Sequence, residues 1–108
     1  NNRFNQRWNL IKVGENYRIS NLKTGMSLDI KAESKKPGTP IIQWKPNGNI
    51  NQLWKIEYQG KNIYMIRSAM DPRLYMCVNS NSLKECADVV TTNDDNDCFW
   101  RIVGFIPE

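Results

Sequence analysis

Histidine is absent from this chain of 108 residues. A Ser or Cys nucleophile therefore has no ordinary base to activate it, and the commonest zinc ligand is missing. Cysteine is scarce, with Cys77, Cys86 and Cys98 the only three and no Cys-x-x-Cys spacing among them. A metal site is not expected. The acidic cluster Asp94, Asp95 and Asp97 lacks the glycine turn and distal Glu of an EF-hand loop, so calcium is not expected either. Glycoside hydrolysis would need two acids facing each other across a cleft, and Asp29 has no partner placed for that role. The chain is read as a non-enzyme without a cofactor. No run reaches 18 consecutive apolar residues, so a membrane-spanning helix is excluded. The opening Asn1-Asn2-Arg3-Phe4 lacks the apolar stretch of a signal peptide, and any export signal is expected to have been removed or never present. Sustained 3.6-residue periodicity is also missing, so almost no helix is expected.

The net charge of +4 is unevenly spread. Residues 1–67 carry 12 Lys/Arg against 4 Asp/Glu, whereas residues 68–108 carry 3 against 7. Such a basic half could attract anionic glycans, headgroups or nucleic acid. The plainer account is that Lys and Arg decorate solvent-facing loops for solubility. RNA recognition would want aromatics gathered beside the basic groups. Here the aromatics follow a repeat instead, and no nucleic-acid partner is expected.

That repeat is the strongest feature of the chain. Trp8, Trp54 and Trp100 lie 46 residues apart and 46 again, closing the phrases Asn5-Gln6-Arg7-Trp8, Asn51-Gln52-Leu53-Trp54 and Asp97-Cys98-Phe99-Trp100. A fixed period of this size marks a fold of stacked copies of one supersecondary unit. Short β-type runs recur every 8–12 residues or so, as in an all-β sandwich or barrel. They are Arg7–Val13, Tyr17–Ser20, Met26–Ile30, Ile41–Trp44, Leu53–Tyr58, Ile63–Ser68, Leu74–Val78, Val89–Thr92 and Phe99–Phe105. Thr24-Gly25, Pro37-Gly38, Pro46-Asn47-Gly48, Gln59-Gly60 and Asp71-Pro72 supply turn chemistry between them. Superposing the copies matches Tyr17-Arg18-Ile19-Ser20 with Tyr64-Met65-Ile66-Arg67 and sets Leu28-Asp29-Ile30 opposite the Val78-Asn79-Ser80 region.

Cys77 and Cys86 flank the turn-like Asn79-Ser80-Asn81-Ser82. They are read as a hairpin-spanning disulfide of an oxidising compartment, with Cys98 either a buried free thiol or paired with another chain. Three reduced, buried thiols are the alternative.

The phrases Tyr-x-Ile-x-Asn from Tyr17, Ser27-Leu28-Asp29-Ile30, Gly38-Thr39-Pro40-Ile41-Ile42-Gln43-Trp44 and Asn51-Gln52-Leu53-Trp54 resemble one repeat of the ricin B-type β-trefoil lectins. Gln6-Arg7-Trp8 and Gln52-Leu53-Trp54 match that family's Gln-x-Trp hallmark. The resemblance implies an all-β trefoil in a single domain over 1–108. Residues 1–8 would end repeat one, 9–54 would be repeat two, and 55–108 would be repeat three with the C-terminal strand. The first three strands of the first repeat are expected to be absent. An open barrel would expose strand edges and invite completion by another chain or an oligomer.

The resemblance also implies a shallow sugar pocket in each competent repeat. It uses an acid after the second strand, an aromatic after the third, and an Asn before the closing Trp. In 9–54 these are Asp29, Trp44 and Asn51, with Gln52 behind them and Lys45 and Asn47 as further donors. A carboxylate accepts two hydroxyl protons in charge-assisted bonds, and an aromatic face suits polarised C–H groups. Each residue also has a structural account: Asp29 as a solvent-facing strand residue, Trp44 sharing a core face with Ile42, and Asn51 as a turn former. Gln6, Gln52 and the three closing Trp are read as structural. In 55–100, Asn79 stands for the acid and Val90 for the aromatic, and no sugar site is expected there. The implied function is a secreted lectin module with one weak site for galactose or N-acetylgalactosamine-type glycans, with Kd on the order of 0.1–10 mM, in the setting of a toxin's cell-binding part. The alternative is a sugar-inactive trefoil that docks to other proteins. Insertion into a membrane by the chain itself is not expected.

Overall fold

The structure is a computed structural model that describes residues 7–78, 89–94 and 98–102. Among the described residues nine strands follow in order: β1 Trp8–Val13, β2 Asn16–Asn21, β3 Ser27–Ile30, β4 Ile41–Trp44, β5 Trp54–Gly60, β6 Ile63–Ser68, β7 Tyr75–Val78, β8 Val89–Thr92 and β9 Trp100–Arg101. The only helical pieces among the described residues are the 3-10 turns Lys31–Glu33 and Ile50–Gln52. Every strand pair is antiparallel. The main path runs β4-β3-β2-β5-β6-β7-β8, with β1 on β2 and β9 on β6.

The two ends of that path meet. Pro40 bridges Val90, Gly38 N donates to Thr91 O at 2.7 Å, and Thr91 N donates to Thr39 O at 2.9 Å. The loop before β4 thus bonds to β8 and nearly closes the sheet into a barrel. Near-closure of this kind leaves fewer unsatisfied edge groups than an open sheet presents.

The 46-residue spacing is a structural repeat. Trp8 pairs with Asn21 in β1–β2 as Trp54 pairs with Ser68 in β5–β6, and Tyr17 pairs with Trp54 as Tyr64 pairs with Trp100. The indole N–H of Trp54 donates to Leu28 O at 3.2 Å, and that of Trp100 donates to Met76 O at 2.8 Å. An indole is large and apolar but carries one donor, so burying it demands such an acceptor. Trp54 is fully buried in a core with Ile19, Ile30, Ile66 and Met76, and Trp8 and Trp100 pack against that cluster.

Two details depart from the sequence reading. β5 runs on through Gly60, with a register shift between Tyr58 and Gly60. The turn falls instead on Lys61 and Asn62, at φ 54° and 66°. Two successive left-handed residues make the primed turn that matches the twist of paired strands. The alignment of copies also shifts by two residues. Leu28-Asp29-Ile30 corresponds to Met76-Cys77-Val78, because both central residues face the same position of the next strand: Asp29 pairs with Ile42 and Cys77 pairs with Val90. Asn79, assigned from sequence to the Asp29 position, lies outside the described residues.

Side chains cap the turns after β2 and β6 in parallel fashion. Asn21 Oδ1 accepts from the amides of Lys23 and Thr24, and Ser68 Oγ accepts from those of Met70 and Asp71. Asp71 extends the second turn: its carboxylate accepts from Arg73 N, Nε and Nη2 at 3.0–3.1 Å. The Arg73 side chain and amide hold the Asp71 carboxyl below its ordinary value of 3.8. A lowered folded value contributes stability that is fully present above 3.8 and is lost as pH falls through the lowered value. Asp71→Asn is therefore expected to lower the thermal midpoint at pH 7, with the gap to wild type closing below pH 3.8. Melting curves across pH 2–7 check this, and a gap independent of pH would assign the effect to shape rather than charge.

Candidate functional site

The site grows from one buried carboxylate. Asp29 lies in β3, whose neighbours Leu28 and Ile30 pack with the core. Strand alternation sends its side chain to the other face, where the chain returns as the turn Ile50–Gln52. Asp29 is only 4% exposed, so it is not the solvent-facing strand residue considered from sequence. Its Oδ1 accepts from Asn51 Nδ2 at 3.1 Å, and its Oδ2 accepts from Gln52 Nε2 at 2.8 Å. A carboxylate offers about four lone-pair positions, so each oxygen retains acceptor capacity.

Asn51 and Gln52 differ in role. Gln52 is 1% exposed and uses its whole amide inside the protein. Nε2 also donates to Lys45 O at 3.0 Å, and Oε1 accepts from Asn47 N at 3.0 Å. It ties β3 to the loop after β4 and positions the site from behind. Asn51 Nδ2 donates to Ile30 O at 3.1 Å as well as to Asp29. Two acceptors fix the orientation of that amide, which leaves Oδ1 buried without a hydrogen-bond partner. An unmet buried acceptor is costly and asks for a donor.

In front of this cluster lies an open concavity of about 420 Å³. Asp29, Asn51, Ile42 and Trp44 are among the residues that line it. β4 alternates so that Ile41 packs on the core, while Ile42 and Trp44 both face the concavity. The core-face account of Trp44 is thereby corrected: its ring is 52% exposed. Asn47 also lines the concavity, and its Oδ1 accepts from Asn49 N at 2.8 Å, bracing the loop beside Trp44. Lys45 gives its carbonyl to Gln52, and its exposed side chain is not part of the lining.

Sequence reasoning missed the rim residues Lys31, Ala32 and Glu33, and missed Ile42, all of which line the concavity. The alternation of Ile42 with Trp44 was a usable signal. For the rim there was none, because Ala32 and Glu33 hold φ of 57° and 55°, a left-handed conformation that non-glycine residues seldom adopt.

The corresponding place in the second repeat is chemically different. Cys77 occupies the position of Asp29, and Thr92 that of Trp44, since Trp44 pairs with Ser27 as Thr92 pairs with Tyr75. Thr92 replaces Val90 as the sequence-assigned counterpart. Cys77 is bonded to Cys98, with Cα atoms 4.9 Å apart. The Cys77–Cys86 pairing expected from the hairpin spacing is thus overturned: the fold brings Cys77 onto the phrase that closes the repeat. Cys98 follows Gln52 by one 46-residue period, so a disulfide stands where the first repeat has its Asp29–Gln52 hydrogen bond. Cys86, Asp95, Asp97 and the Asn5-Gln6 phrase lie outside the described residues.

Asp29 also carries stability. Asp29→Ala leaves the Asn51 and Gln52 amides with one acceptor each, Ile30 O and Lys45 O. The expected cost is about 2 kcal/mol, read by denaturant unfolding, and a neutral outcome would show that these bonds do not hold the site together.

Near-closure of an antiparallel sheet from repeated four-strand units defines a β-trefoil. The model of the ricin-type beta-trefoil lectin domain-like family matches residues 4–92, and the chain belongs to that family. Among solved structures, a designed threefold-symmetric protein, ThreeFoil, superposes with TM-score 0.82 at 24% identity, over 91% of this chain and 71% of that one. An exo-β-1,3-galactanase of Clostridium thermocellum, 1,3Gal43A, gives 0.79 at 33% identity, over 87% of this chain and 21% of that one. The Polyporus squamosus lectin, solved with the epitope Neu5Aca2-6Galb1-4GlcNAc, gives 0.68 at 25% identity, over 87% of this chain and 35% of that one. The chain thus spans a small share of the galactanase and of the lectin. None of the curated proteins matches it.

Proposed function

We propose that this domain binds carbohydrate through the concavity at Asp29, Trp44, Asn47 and Asn51, as a lectin module rather than an enzyme. One observation carries the reading: the exposed Trp44 ring stands over the same hollow as a buried carboxylate and an unpaired buried amide oxygen. A pyranose has one apolar C–H patch and a ring of hydroxyl donors, so it meets all three groups at once. Galactose-type glycans are the first class to test. They fit the lectin family and the galactose-containing epitope of the fungal lectin. The disulfide Cys77–Cys98 fits a secreted protein. A single shallow site binds weakly, so avidity would come from several copies or from a larger assembly, such as the cell-binding part of a toxin.

A glycan array with the wild-type domain tests the reading. Binding of galactose-terminated glycans supports it, and silence from a folded protein across the array would sink it. Protein docking is then the second reading. It is favoured by β1, which pairs with β2 alone among the described residues and so offers an edge to a further strand.

A further inference from the structure

We propose that Glu33 is a second hydroxyl-accepting carboxylate of this site and makes it select uncharged or amino sugars over acidic ones. The proposal rests on the sugar-binding reading above and adds the charge class of the ligand. Glu33 lines the same concavity as Trp44. Its Oε2 accepts from Asn49 Nδ2 at 3.3 Å, and among the described residues nothing else donates to this exposed carboxylate. The backbone holds Glu33 there at some cost, since Ala32 and Glu33 are consecutive non-glycine residues at φ 57° and 55°. Strain of this kind persists where the surroundings over-determine it, and it clusters at ligand sites.

The chemistry of the hollow is one-sided. Asn51 Oδ1 is buried and unpaired, Asp29 keeps spare lone pairs, and Glu33 Oε1 adds another acceptor. The lining holds two carboxylates against the single ammonium of Lys31, and no ion pair joins Lys31 to either acid among the described residues. A negative, acceptor-rich hollow thus sits on a chain whose formal charge is +4. Hydroxyl and ammonium groups donate to such a site. A sugar carboxylate, which only accepts, brings like-charge repulsion against the two acids of the lining.

Isothermal titration at pH 7 and low salt with D-galactose, D-galactosamine and D-galacturonate, and with the matching glucose series, tests this in wild type and Glu33→Gln. Glutamine keeps an acceptor for Asn49, so the turn is retained. In wild type the uronate is expected to bind about tenfold or more weakly than the neutral sugar, with the amino sugar at least equal to it. In Glu33→Gln the neutral sugar is expected to lose about threefold, and the uronate penalty to shrink by a similar factor. A purely structural role would weaken all three ligands alike. Wild type binding the uronate as tightly as the neutral sugar, or the variant keeping the wild-type ratio, would overturn the role of Glu33 and leave the lectin reading standing. No binding to either series or to the glycan array would overturn both.

Discussion

Replacing Trp44 by alanine is expected to weaken glycan binding about tenfold or more while leaving the thermal midpoint nearly unchanged. The separation follows from exposure. Trp44 ends β4 with 52% of its surface in water, and its strand is held by backbone pairing to β3 and by Ile41 on the core side. Removing a half-exposed ring away from the core costs about 0.5 kcal/mol or less. The ligand, in contrast, loses its only aromatic face. Ring contacts contribute about 0.5–1.5 kcal/mol beyond the area they bury, and about 1.4 kcal/mol is a factor of ten. Trp44→Phe should keep part of the affinity. Titration calorimetry beside a melting curve decides the matter. Unchanged affinity in a folded Trp44→Ala protein removes the ring from the site. This variant is a cleaner test than Asp29→Ala, whose carboxylate also holds two buried amides.

Reduction of Cys77–Cys98 is the second large effect. The bond closes a loop of sequence separation 21, for which chain-entropy arguments give about 3 kcal/mol. For a domain of this size that corresponds to a fall of about 15 °C in thermal midpoint. Below the new transition the proposed sugar site should keep its affinity, because it belongs to the other repeat. Melting with and without dithiothreitol, and peptide mapping without reduction, provide the check. A Cys77–Cys86 peptide would contradict the fold's placement of Cys98. The reason for expecting so large an effect is positional. In one repeat the strand after the second turn is tied to the closing phrase by Asp29 and Gln52, and in the next by a covalent bond at the corresponding positions. The first tie leaves a carboxylate beside a hollow, and the second leaves no charge there. Two repeats of one architecture therefore diverge in chemistry at this pair of positions and at the Trp44 position, where the second has Thr92.

The sequence by itself determined the architecture. Trp at a 46-residue interval, turn residues between short β runs, and the absence of helical periodicity together dictate repeated antiparallel units. An indole with a carbonyl acceptor is the same solution at Trp54 and Trp100. Asp29, Trp44 and Asn51 were legible because the family phrases place them at fixed offsets from that Trp, and Asn47 because it lies in the loop just after Trp44. Tertiary structure alone decided the rest. Strand register, not linear spacing, assigns the Asp29 counterpart to Cys77 rather than Asn79, and spacing cannot report which cysteine the fold carries to it. The inward face of Ile41 and the outward face of Ile42 and Trp44 depend on register against β3, since a shift of one residue reverses every side chain. Glu33 reaches the hollow only through two left-handed backbone positions, which no side-chain pattern announces. The unpaired Asn51 oxygen arises because Asp29 and Ile30, distant in sequence, together consume its amide hydrogens.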